Sequence, residues 1–301
     1  MIRAFVTVFA ALAGLAFGSF LNVCLSRWPL GESIVAPRSH CRTCNRTLAW
    51  WENVPLLSWL ALRGRCRTCN TWIGWRYPLV ELTVGVLWAI SAWHYGFAVR
   101  FLGVSSWTTL SVLIVGFLGP FTLLWLLVAL AALDAENLWL PDKLTLPGIF
   151  GGVIVAALYR YFFEGTIFTP LTFVDFFLTP YMRTFWLDRL ISILAAAALI
   201  LVIRWLYWLV RHREGIGLGD AKLMALLAAW LGLPGALLSF GIGVVLGAAV
   251  AVIVIARPAP EGQSRAHLKL PLGTFLCIGG IVSGLWGQPI IAAYLRWSGL
   301  N

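Results

Sequence analysis

The chain has 301 residues, of which 60% are hydrophobic and 11% are charged, and its mean hydropathy is +0.88. This composition lies far outside that of soluble globular domains and predicts an all-α polytopic membrane protein. The formal net charge of +10 requires no nucleic-acid partner, because arginines between membrane helices face the cytoplasm and its anionic leaflet.

Residues 1–23 form the first predicted transmembrane helix. The stretch is apolar except for Arg3, and about 20 apolar residues are enough to cross a bilayer. A cleavable signal peptide is the alternative interpretation. It is disfavoured because a basic start and a small-residue cleavage pattern are missing and many further apolar segments follow.

Residues 24–77 form the one long polar segment, and they predict a small separate domain. The segment carries eight arginines against only Glu32 and Glu52. By the positive-inside rule, this excess of arginine predicts that the segment lies in the cytoplasm.

A five-residue motif, Cys-Arg-Thr-Cys-Asn, occurs twice in this segment, at 41–45 and 66–70. Each copy presents two thiolates on a tight turn, and together the copies complete a closed tetrahedral site. The spacing predicts one structural zinc ion in a reducing compartment. Redox-active thiols are the alternative, but a redox site needs only one such pair. The predicted ligands are Cys41, Cys44, Cys66 and Cys69.

Residues 78–301 predict a membrane domain of seven further spans, which gives about eight in the whole chain. The connections at 134–142, 210–217 and 257–270 then lie in the cytoplasm, and both termini lie outside it. The seven predicted spans are 78–97, 110–133, 143–163, 186–209, 218–233, 235–256 and 271–290.

Two aspartates are predicted to lie at the same depth. Asp134 ends the third span and Asp220 opens the sixth, both on the cytoplasmic side. Two close carboxylates in a poorly solvated site share one proton, so one acts as base and the other as acid. Such a pair can activate water against a peptide carbonyl and stabilise the oxyanion. The sequence does not decide which aspartate starts protonated, because a coupled titration belongs to the pair.

The residues around Asp220 are candidates for substrate contact. Gly217 and Gly219 carry no side chain and would let an extended substrate strand come close to the backbone. Lys222 would either lower the cost of an ionised Asp220 or reach the lipid headgroups.

Three further acids are weaker site candidates. Asp142 follows Pro141 and is interpreted first as a residue of the first helical turn, in a structural role. Glu136 is either a solvated turn residue or a group that tunes Asp134. Glu81, one turn into the second span, would pair with Arg76 or Lys222 or contact substrate.

Other functions fit less well. A His-Glu-x-x-His pair and a Gly-x-Ser-x-Gly motif are both missing from the sequence, which disfavours metalloprotease and serine-hydrolase chemistry. A transporter with a proton relay remains an alternative, although relay acids tend to lie near the midplane of the bilayer. A non-enzymatic assembly factor, whose zinc loop docks a partner, is the other alternative.

The ordered motifs resemble the bacterial type IV prepilin peptidases, a family of intramembrane aspartyl proteases bearing Gly-x-Gly-Asp. The resemblance covers nearly the whole chain. It rests on Gly-Ser-Phe-Leu-Asn-Val at 18–23 with Arg-Trp-Pro at 27–29, the paired cysteine motifs, Arg-Tyr-Pro-Leu-Val-Glu at 76–81, Asp134 with Leu-Pro-Asp at 140–142, and Gly-Leu-Gly-Asp-Ala-Lys-Leu at 217–223.

This resemblance implies an enzyme of the bacterial inner membrane that cleaves the basic leader of prepilins or pseudopilins after a glycine, on the cytoplasmic side. Asp134 and Asp220 would be the catalytic pair, and the four paired cysteines would hold zinc. The resemblance also implies N-methylation of the new N-terminus with S-adenosylmethionine. That second activity rests on the resemblance alone, because the sequence lacks the Gly-x-Gly-x-x-Gly of a nucleotide-binding fold.

The chain departs from the family pattern at two places. Many relatives have Asp, and often His, at the positions of Glu136 and Asn137. The connection at about 161–186 is longer than usual, but it is predicted to lie on the side away from the aspartates, so little effect on cleavage is expected.

Overall fold

A computed structural model describes residues 2–99, 107–163, 185–212, 217–256 and 270–299. Within these ranges the chain is helical, with two isolated β-bridges and no strand, which confirms the predicted all-α class. The helices are α1 (Ile2–Arg27), α2 (Leu57–Ala61), α3 (Arg76–Val99), α4 (Trp107–Asn137), α5 (Asp142–Phe163), α6 (Phe185–Arg211), α7 (Leu218–Ala256) and α8 (Leu272–Ser298), with short 3-10 turns at Trp28–Leu30 and Trp50–Asn53.

The chain divides into two compact units, Met1–Ala129 and Leu130–Asn301. The first unit contains α1, the polar loop with α2, α3 and most of α4. The second contains the end of α4 and all of α5 to α8. The predicted division at residues 23 and 77 stays a prediction.

Close packing of α1 on α3 organises the first unit. A Cβ atom added at Gly18 would lie 2.7 Å from the Cα of Glu81, and one added at Gly14 would lie 2.9 Å from the Cα of Gly85. Small residues let two helix backbones come this close, and in lipid van der Waals packing of this kind drives helix association. Gly18 therefore fixes the position of Glu81.

Replacing Gly18 with alanine is expected to destabilise the first unit by about 1–3 kcal/mol, because the new methyl group meets backbone that cannot move aside. Thermal unfolding in detergent measures the effect. Gly74→Ala is the control, since a Cβ atom there meets nothing within 4 Å. Equal stability of the two variants would contradict the packing argument.

Helix α7 is the core of the second unit. Nearly every residue from Asp220 to Gly232 on this helix is buried. Trp230 donates from Nε1 to the carbonyl of Gly148 at 2.8 Å, which ties α7 to α5. On the other side, Gly279 of α8 packs directly against the backbone of Ser239. Helix α7 is thus packed against both α5 and α8.

Among the residues that the structure describes, six helices are long and apolar enough to cross a membrane, by length and composition. The protein is therefore a multi-pass membrane protein, as predicted, but the count of eight spans is not confirmed. Helix α3 is not among the six, and the predicted sixth and seventh spans lie in the single long α7, which breaks at Gly232 with a φ of 70°. The six spans are Ile2–Leu30, Gly116–Asn137, Asp142–Tyr161, Phe185–Arg211, Leu218–Ala256 and Leu272–Ser298.

The long connection predicted at about 161–186 falls mostly on residues 164–184, which lie outside the described ranges. The same holds for most of the predicted cytoplasmic connection at 257–270 and for residues 213–216 of the connection before α7.

Candidate active site and metal centre

The carboxylate of Asp134 is held by the start of α8. Asp134 lies near the end of α4 and is only 6% exposed. Its Oδ2 accepts a hydrogen bond from the backbone N–H of Thr274 at 2.7 Å, and the Thr274 hydroxyl lies 3.2 Å away. Because that hydroxyl is also 3.0 Å from the carbonyl of Ala131, its single hydrogen serves one acceptor at a time. The backbone N–H of Gly273 also interacts with this carboxylate.

Gly273 makes this contact possible. A Cβ atom at Gly273 would lie 2.9 Å from Asp134 Oδ2 and 3.0 Å from Cδ1 of Leu140. A side chain here would therefore push directly on the carboxylate.

Asp220 lies in the first turn of α7 and is 8% exposed. Its Oδ2 accepts a hydrogen bond from the backbone N–H of Gly217 at 3.2 Å, as expected for a carboxylate near a helix start. Asp220 lies within electrostatic range of Asp134. Both aspartates belong to the second unit, so the structure brings together the two acids that the sequence paired.

Leu140 packs against both Gly219 and Gly273. It follows α4, whose end is marked by Leu138 in a left-handed conformation with a φ of 50°. The Cβ of Leu140 lies 3.1 Å from where a Cβ atom at Gly219 would stand. Gly219 thus has a packing role against Leu140. The substrate contacts predicted for Gly217 and Gly219 stay predictions.

Lys222 and Asp142 pair with each other. The Lys222 ammonium lies 2.5 Å from Oδ1 of Asp142, and both side chains are substantially exposed. Asp142 opens α5, where the sequence placed it. Lys222 was expected to act on Asp220 or to reach headgroups, and its ion pair instead joins the starts of α5 and α7. Glu136 is exposed on the last turn of α4.

Glu81 belongs to the first unit, unlike the other acids named as site candidates. It is 7% exposed, and its Oε2 accepts a hydrogen bond from the backbone N–H of Leu56 at 2.8 Å. The hydrogen bond fastens the polar loop to α3.

Thr274 and Gly273 were not predicted from the sequence. The sequence does indicate their position, because the predicted cytoplasmic connection 257–270 leads directly into Pro-Leu-Gly-Thr at 271–274. The depth argument that paired Asp134 with Asp220 applies equally to the start of the last span. That argument depends on the cost of a charge in lipid, so it singles out carboxylates and gives no weight to a threonine or a glycine.

The four paired cysteines converge in the first unit. Their Sγ atoms all lie within 4.8 Å of one another, and those of Cys41 and Cys69 are 3.7 Å apart. A tetrahedral zinc ion with Zn–S distances of about 2.3 Å separates its sulfurs by about 3.8 Å. All four cysteines are free thiols. The cluster is therefore compatible with a metal ion.

The two cysteine motifs fold alike. The backbone N–H of Cys41 donates to the carbonyl of Arg46, and that of Cys66 donates to Thr71, both at 2.9 Å. Asn45 and Asn70 both have a φ of 54°, a conformation that asparagine tolerates better than most residues. The internal repeat of the sequence is thus a repeat of structure.

Neighbouring side chains stabilise these turns. Arg46 donates to Oε1 of the buried Glu52 at 2.6 Å and holds the pKa of Glu52 below its usual value. The Thr71 hydroxyl lies 3.2 Å from Sγ of Cys69 and lowers the pKa of that thiol to about 6.

Comparison with known proteins agrees with this architecture. Residues 12–95 match the bacterial Peptidase A24 N-terminal domain, and residues 121–252 match the type IV leader peptidase family. No solved structure matches.

Relatives align along nearly the whole chain. The prepilin leader peptidase/N-methyltransferase of Stutzerimonas stutzeri is 32% identical, over 97% of this chain and 94% of its own. The protein of the same name from Pseudomonas aeruginosa is 33% identical, over 96% and 93%. That of Burkholderia pseudomallei is 36% identical, over 93% and 85%. With these relatives and both matched domains, the chain belongs to the type IV leader peptidase family.

Proposed function

We propose that the protein is a membrane aspartyl endopeptidase that removes the leader peptide of prepilins or pseudopilins and methylates the new N-terminus. The observation that carries the proposal is the pair of buried carboxylates, Asp134 and Asp220, in a chain whose relatives are named prepilin leader peptidase/N-methyltransferase.

Cleavage needs one proton shared between the two carboxylates. The ionised aspartate takes a proton from a water molecule, whose oxygen attacks the carbonyl carbon before the cut. The protonated aspartate donates a hydrogen bond to the developing oxyanion. The C–N bond then breaks, and the leaving amine takes the proton that the first aspartate removed. The new carboxyl group is the C-terminus of the released leader, and the new amine is the N-terminus of the mature chain.

The residues around the aspartates keep this geometry. Thr274 donates to Oδ2 of Asp134, and Gly217 donates to Oδ2 of Asp220. Each carboxylate is thereby held by backbone, which moves little during the reaction. Preorganised groups of this kind stabilise a transition state without a reorganisation cost.

The orientation follows from charge. The polar segment 24–77 is rich in arginine, and by the positive-inside rule this excess supports a cytoplasmic location for the segment. We propose that the connections next to Asp134 and Asp220 face the cytoplasm as well, and that the membrane is the bacterial inner membrane. Glu81, Glu136, Asp142 and Lys222 remain candidates for supporting roles.

One zinc ion held by Cys41, Cys44, Cys66 and Cys69 would supply a structural crosslink between the two cysteine motifs. We expect about one zinc ion per chain in protein purified without chelator. Cys41→Ser should lose the metal and expose segment 24–77 to limited proteolysis. Cys24→Ala is the control, since Cys24 stands outside the cluster. Full metal content in Cys41→Ser would contradict the assignment.

Methylation needs a donor besides the aspartates. S-adenosylmethionine, when bound, supplies a methyl group to the neutral amine of the new N-terminus, with loss of its C–S bond, release of S-adenosylhomocysteine and transfer of the amine proton to water. The relatives' names support this activity.

The test is processing of a prepilin by the purified protein in proteoliposomes with S-adenosylmethionine. Mass spectrometry is expected to find the mature chain with one added methyl group, and a prepilin with a bulky residue in place of the glycine before the cut should stay intact. An uncut precursor would overturn the proposal in favour of a transporter or an assembly factor.

A further inference from the structure

The polar loop carries an exposed apolar surface that neither the aspartates nor the cysteine cluster uses. The surface is centred on the short helix α2. Leu57 and Leu60 lie one turn apart on this helix, so they share a side of it, and they are 65% and 63% exposed. Large apolar side chains that are exposed together mark a place of contact with a membrane or with another protein.

Three tryptophans extend this surface from α2 to the start of α3. The ring centroid of Trp59 lies 4.6 Å from that of Trp75 and 5.7 Å from that of Trp72. The rings of Trp72 and Trp75 are 5.8 Å apart, and both residues are exposed. Gly64 leaves room for this tryptophan cluster, because a Cβ atom there would lie 2.6 Å from the ring of Trp72 and 2.8 Å from that of Trp59. Leu57, Leu60 and the tryptophan cluster together form the α2 surface.

Helix α3 lies beside α1, which is one of the six candidate spans. Asn22 of α1 donates from Nδ2 to the carbonyl of Tyr77 at 2.9 Å, near the start of α3. Towards the other end of the pair, the Arg3 guanidinium lies 3.7 Å from the centre of the Trp93 ring. The two helices therefore run side by side in opposite directions. The start of α3 thus lies at the membrane surface where α1 ends.

The beginning of α2 reaches below the start of α3. The backbone N–H of Leu56, directly before α2, donates to Oε2 of Glu81 at 2.8 Å, and Ser19 of α1 hydrogen-bonds the same carboxylate. Glu81 lies five residues after Arg76, the first residue of α3, which is about 7.5 Å along the helix axis. Helices that lie in a membrane interface bury their apolar side by about 5–10 Å. The start of α2 is at the depth expected of such a helix.

The exposed apolar side of α3 continues into the tryptophan cluster. The carbonyl of Trp75 accepts from the backbone N–H of Leu79 at 3.1 Å, so Trp75 belongs to the first turn of the helix. Leu79, Leu82 and Val86 are exposed at helical spacing and form one stripe. Trp75 lies one turn before Leu79, in line with that stripe. Tryptophans at the end of a lipid-facing stripe occupy the interface between lipid and water.

Charge favours a lipid surface over a basic peptide. Arg63 and Arg65 are exposed and come just after the end of α2. Over the whole segment 24–77, eight arginines stand against two glutamates. Such a surface attracts anionic lipid headgroups, and it repels the basic leader expected of a prepilin.

We propose that the α2 surface lies in the headgroup region of the adjacent leaflet, with Arg63 and Arg65 on the phosphates of anionic lipids. The polar loop is then attached to the membrane at α2 as well as at the ends of α1 and α3. Because the second cysteine motif begins at Cys66, next to these arginines, the contact also restrains the cysteine cluster relative to the bilayer. Neither cleavage nor methylation is needed for this contact.

A fluorescent amino acid placed at Leu60 of the full-length protein measures the depth of the α2 surface. The protein is held as a single copy in nanodiscs of phosphatidylglycerol, without prepilin. Lipids with nitroxides at two acyl-chain positions should quench the probe and place it within about 5–10 Å of the boundary between headgroups and acyl chains. A probe at Arg38, which is exposed in the same loop, should be quenched by acrylamide in the water instead.

An aspartate on the same side of α2 tests the apolar contact. Leu57→Asp should lower nitroxide quenching of the Leu60 probe to the level of the Arg38 probe, because a carboxylate is costly among acyl chains. Val35→Asp is the matched control, since Val35 is an apolar residue of the same loop, 86% exposed, outside the α2 surface. It should leave the quenching unchanged. Thermal unfolding in detergent should be the same for both variants, because both side chains are exposed.

The double variant Arg63→Gln/Arg65→Gln tests the role of lipid charge. In wild type, replacing phosphatidylglycerol with phosphatidylcholine should lower nitroxide quenching of the Leu60 probe. In the double variant, the two lipids should give equal quenching. Equal quenching in wild type would overturn the contact between these arginines and lipid phosphates.

A Leu60 probe that acrylamide reaches as readily as the Arg38 probe would overturn the proposal. If added prepilin, or a second copy of the chain in a larger nanodisc, then protected the probe, the α2 surface would be a protein-docking site instead. Unchanged nitroxide quenching in Leu57→Asp would overturn the proposal as well.

Discussion

Replacing either Asp134 or Asp220 with asparagine is expected to lower kcat/KM for prepilin cleavage by at least about a thousandfold. The amide can neither take a proton from water nor share one with its partner, so both acid–base catalysis and oxyanion stabilisation are lost. The fold should survive, because the amide oxygen still accepts from Thr274 or from Gly217. Cleavage in proteoliposomes, followed by mass spectrometry, measures the effect.

Asp188→Asn is the matched control for these variants. Asp188 also lies in the first turn of an apolar helix, α6, but outside the candidate site. It should cleave within a few-fold of wild type. If Asp188→Asn lost as much activity as Asp220→Asn, the loss would reflect a general effect of removing a carboxylate from a membrane helix.

Gly273→Ala is expected to lower kcat/KM about tenfold to a hundredfold while leaving both aspartates in place. The new Cβ atom would lie 2.9 Å from Asp134 Oδ2, so the carboxylate must shift and its 2.7 Å bond to Thr274 must lengthen. Small displacements of a catalytic group cost up to about a hundredfold in rate. The readout is the steady-state cleavage rate at several prepilin concentrations.

Gly241→Ala serves as the comparison for Gly273→Ala. Both glycines lie in apolar helices, but a Cβ atom at Gly241 meets nothing within 4 Å. It should keep wild-type cleavage. Activity of Gly273→Ala within twofold of wild type would show that the start of α8 does not position Asp134.

The sequence carried enough information to find the two aspartates and the cysteine cluster. A carboxylate at the end of an apolar span is costly and therefore stands out, and topology alone gave Asp220 a partner at the same depth. A duplicated cysteine motif likewise has few uses other than a metal. The structure brings together both sets of residues.

The groups that hold the aspartates were harder to predict. Thr274 binds Asp134 through its backbone N–H, a donor that every residue except proline carries. Gly273 matters through the space that it leaves, and only the packed structure shows what would fill that space. From the sequence, several acids were possible partners for the long side chain of Lys222. Only the folded structure shows that it pairs with Asp142.

Span counting was limited by a different ambiguity. The predicted spans 218–233 and 235–256 placed a boundary at residue 234, and the irregular residue of α7 is Gly232. By composition, a helix of 39 residues with one irregular residue is consistent with one long span or with two short ones. Hydropathy does not tell whether the chain reverses its direction after the break.

The central claim is that Asp134 and Asp220 act as one catalytic unit, and a double-mutant comparison tests it most directly. Single-turnover cleavage rates are measured for wild type, Asp134→Asn, Asp220→Asn and the double variant. Residues that act as a unit are strongly non-additive, so each single variant should lose about as much activity as the double variant. Substantial cleavage by either single variant, or losses that multiply in the double variant, would contradict the shared dyad.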